Sequence, residues 1–462
     1  MIPMPLRDVA VLTDGSLHPV ERGGVVVDGH VVTDSREAGP GSLYVARVGE
    51  HADGHAYVGP ARDRGAVAAL TSRVVDELPC VVVDDVQTAF GRLARGVVDR
   101  ATGLTVVAVT GSSGKTSTKD LLAQVLRTAG ETVAPVNSLN GEIGVPLTVC
   151  RVTPATRFLV AEMGARGVGH LAYLTTIAPP DVAVVLNVGV AHVGEFGSKG
   201  AVAQAKGELV EALPSDGVAV LNADDERVRR MAKRTSARVV TYGFAADADV
   251  RAEAVESAGL DGMRFTLVAA GERRDATIPG LGRLAVHNAL AAAAVGLAAG
   301  LDAGSVVTAL GRGWSAPHRG AIVRAGGVTI VDDAYNASPS SVEAALELLA
   351  GLPGRRIAVL GEMLELGPEH EAGHERVGAV AAAVVDRLIV IGDGAIGIAS
   401  GARAAGIQSG RIEVVADRAA ALAHLLDVLA PGDVVLVKAS RGIALELLVV
   451  DLRAALESGG AR

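Results

Sequence analysis

Short, uninterrupted apolar segments that alternate with helical stretches constrain the fold of this chain more than any other feature. They begin at about residue 104 with LTVVAV, RFLVAEM, DVAVVLNV and GVAVLNA. Strands of a parallel sheet that is covered by helices on both faces have this continuous apolar character. The alternation restarts after residue 317 with GVTIVDDAY, RRIAVLGEM, RLIVIGD, RIEVVAD and DVVLVKAS. The sequence therefore predicts two consecutive doubly wound α/β domains.

Breaks in this alternation predict the domain boundaries. We expect an α/β protein with a small N-terminal α/β domain over 1–103, a central doubly wound domain over 104–316 and a C-terminal Rossmann-like α/β domain over 317–462. The polar segment 244–286 predicts a small antiparallel insertion, and a helix is expected from about 286 to 300. A length of 462 residues agrees with three domains at about 150 residues each.

Composition excludes several classes of protein. The net charge is −9, basic residues are dispersed and aromatic residues make up only 2%, whereas nucleic-acid binders show a basic stripe or stacking aromatics. No apolar run approaches the ~18 residues of a membrane span, and the first residues, MIPMPLRDVA, do not resemble a signal peptide. Two cysteines cannot form a disulfide framework. We expect a cytoplasmic monomer that neither binds nucleic acid nor inserts into a membrane.

A glycine-rich loop between a strand and a helix indicates a nucleotide site. Backbone N–H groups of such a loop and the positive end of the helix bind phosphates, the lysine reaches the β- and γ-phosphates, and the threonine hydroxyl holds Mg²⁺. Val109 replaces the first glycine of the usual pattern, so the loop is shorter on that side. The residues predicted to bind ATP here are Gly111, Ser112, Ser113, Gly114, Lys115, Thr116 and Ser117. This loop makes the central domain a P-loop ATPase domain.

Three residues downstream of the loop are candidates for the metal site. Glu162 and His192 each follow a predicted strand, at the sheet edge where open α/β sheets bind ligands. Lys206 lies on a predicted helix, 202–213, within an apolar arc of about a quarter of the circumference. A lysine that faces a core must extend to solvent, be paired or be chemically altered.

A second glycine motif is also compatible with a different class of enzyme. Gly392, Gly394 and Gly397 follow a strand and precede a helix, and Asp417 ends the next strand. This is the dinucleotide-binding layout, so a nicotinamide-dependent enzyme is a rival interpretation. A second rival interpretation is a nucleotide switch, which would bind ATP without turnover that depends on an amine substrate.

Motifs along nearly the whole chain resemble the Mur ligases of peptidoglycan synthesis. They are TGSSGKTS, NSLNGEIGVPLTV, AEMGA, NVGVAHVGEFGS, AKGE, LNADD, HNALAA, DDAYNASPSS, GEMLELG and VLVKASRG. Of these, DDAYNASP and GEMLELG indicate the type that adds D-alanyl-D-alanine to a UDP-N-acetylmuramoyl-tripeptide. Residues 33–57 are similar to the uridine-diphosphate-binding domain of two Mur ligase types.

The resemblance implies a reaction and its cofactors. ATP would phosphorylate the terminal carboxylate of the tripeptide, the amine of D-alanyl-D-alanine would attack the acyl phosphate, and ADP and phosphate would leave. Lys115 and two Mg²⁺ ions would offset the repulsion between this carboxylate and ATP. Thr116 and Glu162 would hold one ion and His192 the other, while Lys206 would carry a carbamate, N6-carboxylysine, that binds metal.

The resemblance also implies contacts with the substrates. Asn288 would lie near the adenine, Arg319 near the phosphates and Tyr335 and Asn336 against the nucleotide, while Asp333 would orient the amine or an adjacent lysine. The remaining expected substrate contacts are Ser35 and Arg36 for the uridine diphosphate, and Asn137, Asn140 and Thr148 for the muramoyl peptide.

The sequence departs from the family pattern at two positions and leaves some alternatives open. Ala439 and Gly141 stand where glycine and asparagine are more common, and the second change weakens the expected substrate contacts nearby. The Mur type that adds the third peptide residue carries an Asn-Pro-Arg string, which is missing here, and folate polyglutamate ligases lack the uridine domain. Whether the third residue is lysine or a diaminopimelate stays open.

Overall fold

The structure, a computed structural model, describes residues 1–50, 52–189, 196, 198–312 and 318–459. Three main sheets follow one another along the chain, each with its own helices. The predicted boundary between residues 316 and 317 lies outside the described residues. Among the described helices, none has the length and apolar character needed to cross a membrane.

The N-terminal unit is built from short strands. Its elements are β1 (Met4–Pro5), α1 (Leu6–Thr13), β2 (Ser16–His18), β3 (Val26–Val27), β4 (Val31–Val32), β5 (Ser42–Val45), α2 (Val58–Asp63), β6 (Ala66–Thr71), β7 (Cys80–Val82) and α3 (Val86–Arg100). The sheet has the order β2-β7-β6-β5-β4 and is parallel except for β2, while β1 and β3 form a separate antiparallel pair.

The middle unit carries the largest sheet. Its strands are β8 (Thr105–Thr110), β9 (Thr132–Val133), β10 (Phe158–Glu162), β11 (Val182–Val185), β12 (Val218–Asn222), β13 (Arg238–Gly243), β14 (Val250–Ser257), β15 (Met263–Ala269) and β16 (Glu272–Ile278). Its helices are α4 (Lys115–Leu126), α5 (Gly144–Val149), α6 (His170–Ile177), α7 (Lys199–Glu211), α8 (Glu226–Arg230), α9 (Gly282–Ala298) and α10 (Ala303–Gly311).

The order of this sheet, β16-β15-β14-β13-β12-β11-β8-β10-β9, confirms the doubly wound prediction. Strand β8 is parallel to both neighbours. Its successive residues Val106 and Val107 point to opposite faces and enter separate hydrophobic cores. Strands β14 to β16 form the expected antiparallel insertion and extend the same sheet. Helix α9 begins at Gly282, somewhat before its predicted start.

The last unit repeats the βα alternation. Its strands are β17 (Ala321–Ala325), β18 (Val328–Asp332), β19 (Arg356–Gly361), β20 (Arg387–Ile391), β21 (Ile412–Val415) and β22 (Val434–Lys438). Its helices are α11 (Pro339–Ala350), α12 (His370–Val384), α13 (Ile396–Ala404), α14 (Arg418–Val428) and α15 (Glu446–Gly459). The order is β17-β18-β22-β19-β20-β21, and only β17 is antiparallel to its neighbour.

The second glycine motif has a packing role in this unit. A Cβ atom at Gly397 would lie 2.9 Å from the Cβ of His374 in α12, and one at Gly394 would lie 2.3 Å from the carboxyl group of Glu362. Asp417 caps α14 by accepting the backbone N–H of Ala420. The close approach of α12 and α13 therefore accounts for Gly397, whereas Gly394 lies against Glu362.

Replacing Gly401 with alanine should destabilise the last unit. A Cβ at this position in α13 would lie 1.9 Å from the carbonyl oxygen of Glu375 in α12, so the helices must move apart. Overpacking of this kind costs about 1–3 kcal/mol, which lowers the midpoint of thermal unfolding by several degrees. Gly410→Ala is the control, because a Cβ there meets no atom within 4 Å. Equal midpoints for the two variants would contradict the packing role.

Candidate active site

A cavity of about 950 Å³ lies between the middle and last units. The phosphate loop and the end of β10 contribute to one wall, and segments following β18, β19 and β22 contribute to the other. Most residues predicted to bind ATP line it, and these are Ser112, Ser113, Gly114, Lys115, Thr116, Ser117, Asn288, Arg319, Tyr335 and Asn336. The cavity therefore joins residues that are far apart in the sequence.

The phosphate loop is fixed by an asparagine that sequence reasoning missed. The side-chain oxygen of Asn187, just after β11, accepts the backbone N–H groups of Ser112 and Ser113 at 3.0 and 2.9 Å. Gly114 has φ of 81°, and a Cβ there would lie 2.6 Å from the side-chain oxygen of Asn288. Only glycine fits this left-handed position without strain. Val109 lies within β8, which explains why the usual first glycine is not needed.

Lys115 is half-buried at the start of α4. Its ammonium group donates to the carbonyl oxygen of Gly111 at 2.7 Å. Burial lowers the pKa of Lys115, and the charge of Arg319 lowers it further, whereas Glu162 and Glu365 raise it. A phosphate group that enters the loop would complete the charge pairing of this lysine.

Glu162 ends β10 and faces the same cavity. Its side chain is 1% exposed, and one carboxylate oxygen accepts the amide N–H of Asn140 at 2.8 Å. The second oxygen is buried without a hydrogen-bond partner in the described part of the chain. Leaving a carboxylate oxygen unpaired in a buried site is costly, so this oxygen is suited to a cation.

Ser138 connects the two walls of the cavity, and sequence reasoning missed it. Its hydroxyl shares a hydrogen bond with the Thr116 hydroxyl at 3.0 Å and accepts the Tyr335 hydroxyl at 2.8 Å. Arg319 donates to both Thr116 and Ser138, at 3.1 and 3.2 Å. The Arg319 guanidinium also lies 4.0 Å from the ring centre of Tyr335. These contacts hold the last unit against the phosphate loop.

A buried ion pair forms the other wall. The ammonium group of Lys438, at the end of β22, lies 2.6 Å from the carboxylate of Asp333 and 2.9 Å from the carbonyl oxygen of Asn336. Lys438 is 3% exposed. The adjacent lysine expected for Asp333 is therefore Lys438. In the sequence, this lysine is marked only by its position directly after the apolar run VVLV.

Lys206 lies inside the middle unit, on the apolar side of α7 as predicted. It is 3% exposed, beside the buried residues Val202, Leu209 and Val210 of the same helix. Burial moves the pKa of Lys206 well below its usual range, and the nearby Lys115 lowers it further. Among the described residues no carboxylate pairs with this lysine. The amine is therefore held in an environment that favours its neutral form.

The structure does not bring every predicted site residue to the cavity. Asn140 lines it, but Asn137 is exposed with φ of 55°, and the hydroxyl of Thr148 donates to the carbonyl oxygen of Gly144 inside α5. Ser35 is buried in the N-terminal unit, where Arg36 pairs with Asp34. His192 lies outside the described residues. The substrate roles of these residues stay predictions.

Comparisons with known proteins agree with this arrangement. UDP-N-acetylmuramoyl-tripeptide–D-alanyl-D-alanine ligase from Mycobacterium tuberculosis is 42% identical over 98% of this chain and 98% of its own length. A crystal structure of MurF from Acinetobacter baumannii has a TM-score of 0.90 and 28% identity, covering 98% of this chain and 99% of that chain. MurF ligase from Thermotoga maritima, solved in complex with ADP, has a TM-score of 0.82 and 30% identity, covering 94% and 99%.

Family models match both units that form the cavity. The Mur ligase middle domain matches residues 109–296, and the Mur ligase, glutamate ligase domain, matches residues 318–441. With relatives that match over nearly their full length, the chain belongs to the Mur ligase family.

Proposed function

We propose that this protein joins D-alanyl-D-alanine to UDP-N-acetylmuramoyl-tripeptide and converts ATP to ADP and phosphate. The match to curated ligases of this specificity over 98% of the chain carries the proposal. The cavity supports it, because phosphate-binding groups and a separate polar wall face each other there. The match to Mur ligases over nearly the whole chain speaks against the rival nicotinamide enzyme.

Each unit has its own part in this proposal. Residues 1–103 bind the uridine diphosphate, with Ser35 and Arg36 as contacts, residues 104–316 bind ATP, and residues 317–462 bring the dipeptide to the reaction. Asn288 lies near the adenine in this proposal, and its side chain lines the same cavity as the phosphate loop. We further propose that the protein is a cytoplasmic monomer that binds neither nucleic acid nor membrane.

Two Mg²⁺ ions belong to the proposal, and the donor set fits them. Thr116 and the free oxygen of Glu162 offer hard oxygen ligands to one ion, while His192 and a carbamate on Lys206 would serve the other. Bound Mg²⁺ neutralises phosphate charge as the carboxylate approaches ATP. Reaction of the neutral Lys206 amine with CO₂ forms an N–C bond and releases one proton, which turns an uncharged buried amine into an anionic carbamate. The lowered pKa of Lys206 supports this step, because only the neutral amine reacts.

The side chains then act on the two substrates in order. Lys115 and Arg319 bind the phosphates and hold the γ-phosphate near the tripeptide carboxylate, which attacks phosphorus and displaces ADP. Asp333, oriented by Lys438, holds the amine of the dipeptide. The amine nitrogen attacks the acyl carbon, the bond from carbon to the phosphate oxygen breaks, and phosphate leaves with its electron pair. The nitrogen loses one proton, which the departing phosphate takes up.

Phosphate release tests the function directly. ATP and Mg²⁺ are supplied with UDP-N-acetylmuramoyl-tripeptide and D-alanyl-D-alanine, first singly and then together, and the product is weighed by mass spectrometry. We expect release above background only with both substrates, together with a product heavier by the dipeptide. Release that stays at background with both, while NAD(P)H raises the melting temperature, would overturn the proposal. Tripeptides ending in lysine and in diaminopimelate then reveal the preferred substrate.

A further inference from the structure

A loop of the last unit enters the cavity beside the Asp333 and Lys438 pair. Residues 362–366, here called the cavity loop, follow β19 and contribute Leu364 and Glu365 to the lining. Glu365 has φ of 64°, a left-handed conformation that costs a non-glycine residue free energy. Contacts from outside the loop must therefore hold its backbone in place.

One of these contacts comes from a buried histidine in α12. The side chain of His374 is 0% exposed, and its Nε2 accepts the backbone N–H of Met363 at 2.9 Å. Its Nδ1 lies 2.6 Å from the carbonyl oxygen of His370, which can only accept, so Nδ1 carries the proton. The two partners thus fix a neutral imidazole in a single tautomer.

Ser440 anchors the same loop from the end of β22. Its hydroxyl accepts the backbone N–H of Leu364 at 2.9 Å, and its own backbone N–H donates to the carbonyl oxygen of Glu362 at 2.9 Å. The cavity loop is therefore held at neighbouring residues, by α12 on one side and by β22 on the other. Gly397 permits the first contact, because a Cβ there would collide with His374.

We propose that His374 is a positioning residue for the ligase reaction, which holds the cavity loop in the shape that the dipeptide site requires. This inference rests on the proposed function. The loop lies with Asp333, Lys438 and Ser440 on the wall assigned to D-alanyl-D-alanine, whereas the phosphate loop binds ATP. His374 therefore affects the KM for the dipeptide and the kcat, and leaves the KM for ATP unchanged.

Protonation of His374 disrupts this contact. A proton on Nε2 would face the N–H of Met363, so the loop contact needs the neutral ring. Burial lowers the pKa of His374 below its ordinary value. The hydrogen bond to the His370 carbonyl and the charge of Glu362 act against this, while the His370 side chain lowers the pKa further. The side chains of His370 and Glu362 face it from α12 and the cavity loop, and α13 presents Gly397. Free histidine has a pKa of about 6.5, so the contact is fully present above that pH and is lost as the pH falls through the lowered pKa.

Two substitutions separate the contacts of this ring. In His374→Gln the side-chain oxygen reaches the place of Nε2 and still accepts from Met363, whereas His374→Asn keeps only the place of Nδ1. We expect the asparagine variant to lose ~100-fold in kcat/KM for D-alanyl-D-alanine, because small displacements of a site cost this much. The glutamine variant should stay within about 5-fold of the original chain (0.95 kcal/mol by RT ln 5). In the glutamine variant, kcat/KM for the dipeptide should also lack the decrease at low pH, the acid limb of the pH profile, that protonation of His374 causes in the original chain.

The same assays contain the outcomes that would overturn the inference. An asparagine variant as active as the glutamine variant, or an unchanged acid limb in the glutamine variant, would show that His374 does not position the loop. A lowered melting temperature accompanied by a changed KM for ATP would indicate a general loss of folding and would also contradict the proposal. Absence of dipeptide-dependent phosphate release in the unsubstituted chain would instead overturn the proposed function, and this inference with it.

Discussion

Replacing Glu162 with glutamine should reduce kcat by at least about 100-fold, the usual effect of losing one charged group that stabilises a transition state. The amide oxygen can still accept the N–H of Asn140, so the local structure is kept. The amide nitrogen, however, replaces the buried oxygen that has no partner among the described residues. A cation bound there loses both a ligand and a negative charge. The apparent affinity for Mg²⁺ should therefore fall together with kcat.

Phosphate release measured across a series of Mg²⁺ concentrations checks this expectation. Glu226→Gln is the control, since its side chain is 69% exposed on helix α8 and pairs only with Arg230 among the described residues. The control should match the unsubstituted chain in both kcat and Mg²⁺ dependence. A Glu162→Gln protein that retains full activity at the same Mg²⁺ concentration would contradict a role for this carboxylate at the metal.

Local patterns in the sequence were sufficient to predict the sheets and the phosphate loop. The residues of β8 are apolar without interruption because both faces of the strand are covered, and this is visible in a single segment. Lys206 could be placed on the apolar arc of α7 because helical periodicity depends only on neighbouring residues. The carboxyl ends of β8 and β10 had to meet, since parallel strands share an edge.

The contacts that complete the site depend on residues distant in sequence. Asn187 fixes the phosphate loop from a position 75 residues away, and Lys438 pairs with Asp333 across 105 residues. Ser138 meets Arg319 and Tyr335 only when the two units come together. No periodicity or motif reports such pairings. The sequence therefore predicted which sheet edges carry the functional residues. It did not predict the distant side chains that hold those residues in place.

The second glycine motif shows the limit of spacing as a guide to function. Gly392, Gly394 and Gly397 have the order and local structure of a dinucleotide site. Glycine serves two purposes that look alike in sequence: it lets a backbone approach a phosphate, or it lets two helices approach each other. The carboxyl group of Glu362 lies beside Gly394, and the side chain of His374 lies beside Gly397. Only the neighbours in space distinguish the two purposes.

Replacing Lys206 with alanine should lower kcat by about 100-fold or more, because the carbamate that we propose there supplies negative charge to a metal. The buried lysine has no carboxylate partner among the described residues, and its lowered pKa favours the neutral amine that reacts with CO₂. A small carboxylate such as acetate or formate would supply the negative charge that this variant lacks. Added at millimolar concentration, it should restore part of the activity.

The control is Lys233→Ala, because this lysine is exposed and far from the metal ligands in sequence. It should keep full activity and gain nothing from added carboxylate. For the unsubstituted chain, removal of dissolved CO₂ should lower the rate, and bicarbonate should restore it. If the Lys206→Ala protein kept full activity without bicarbonate or any carboxylic acid, the carbamate proposal would be wrong. Loss of activity without rescue would instead indicate that the lysine acts as an amine, through its position next to Lys115.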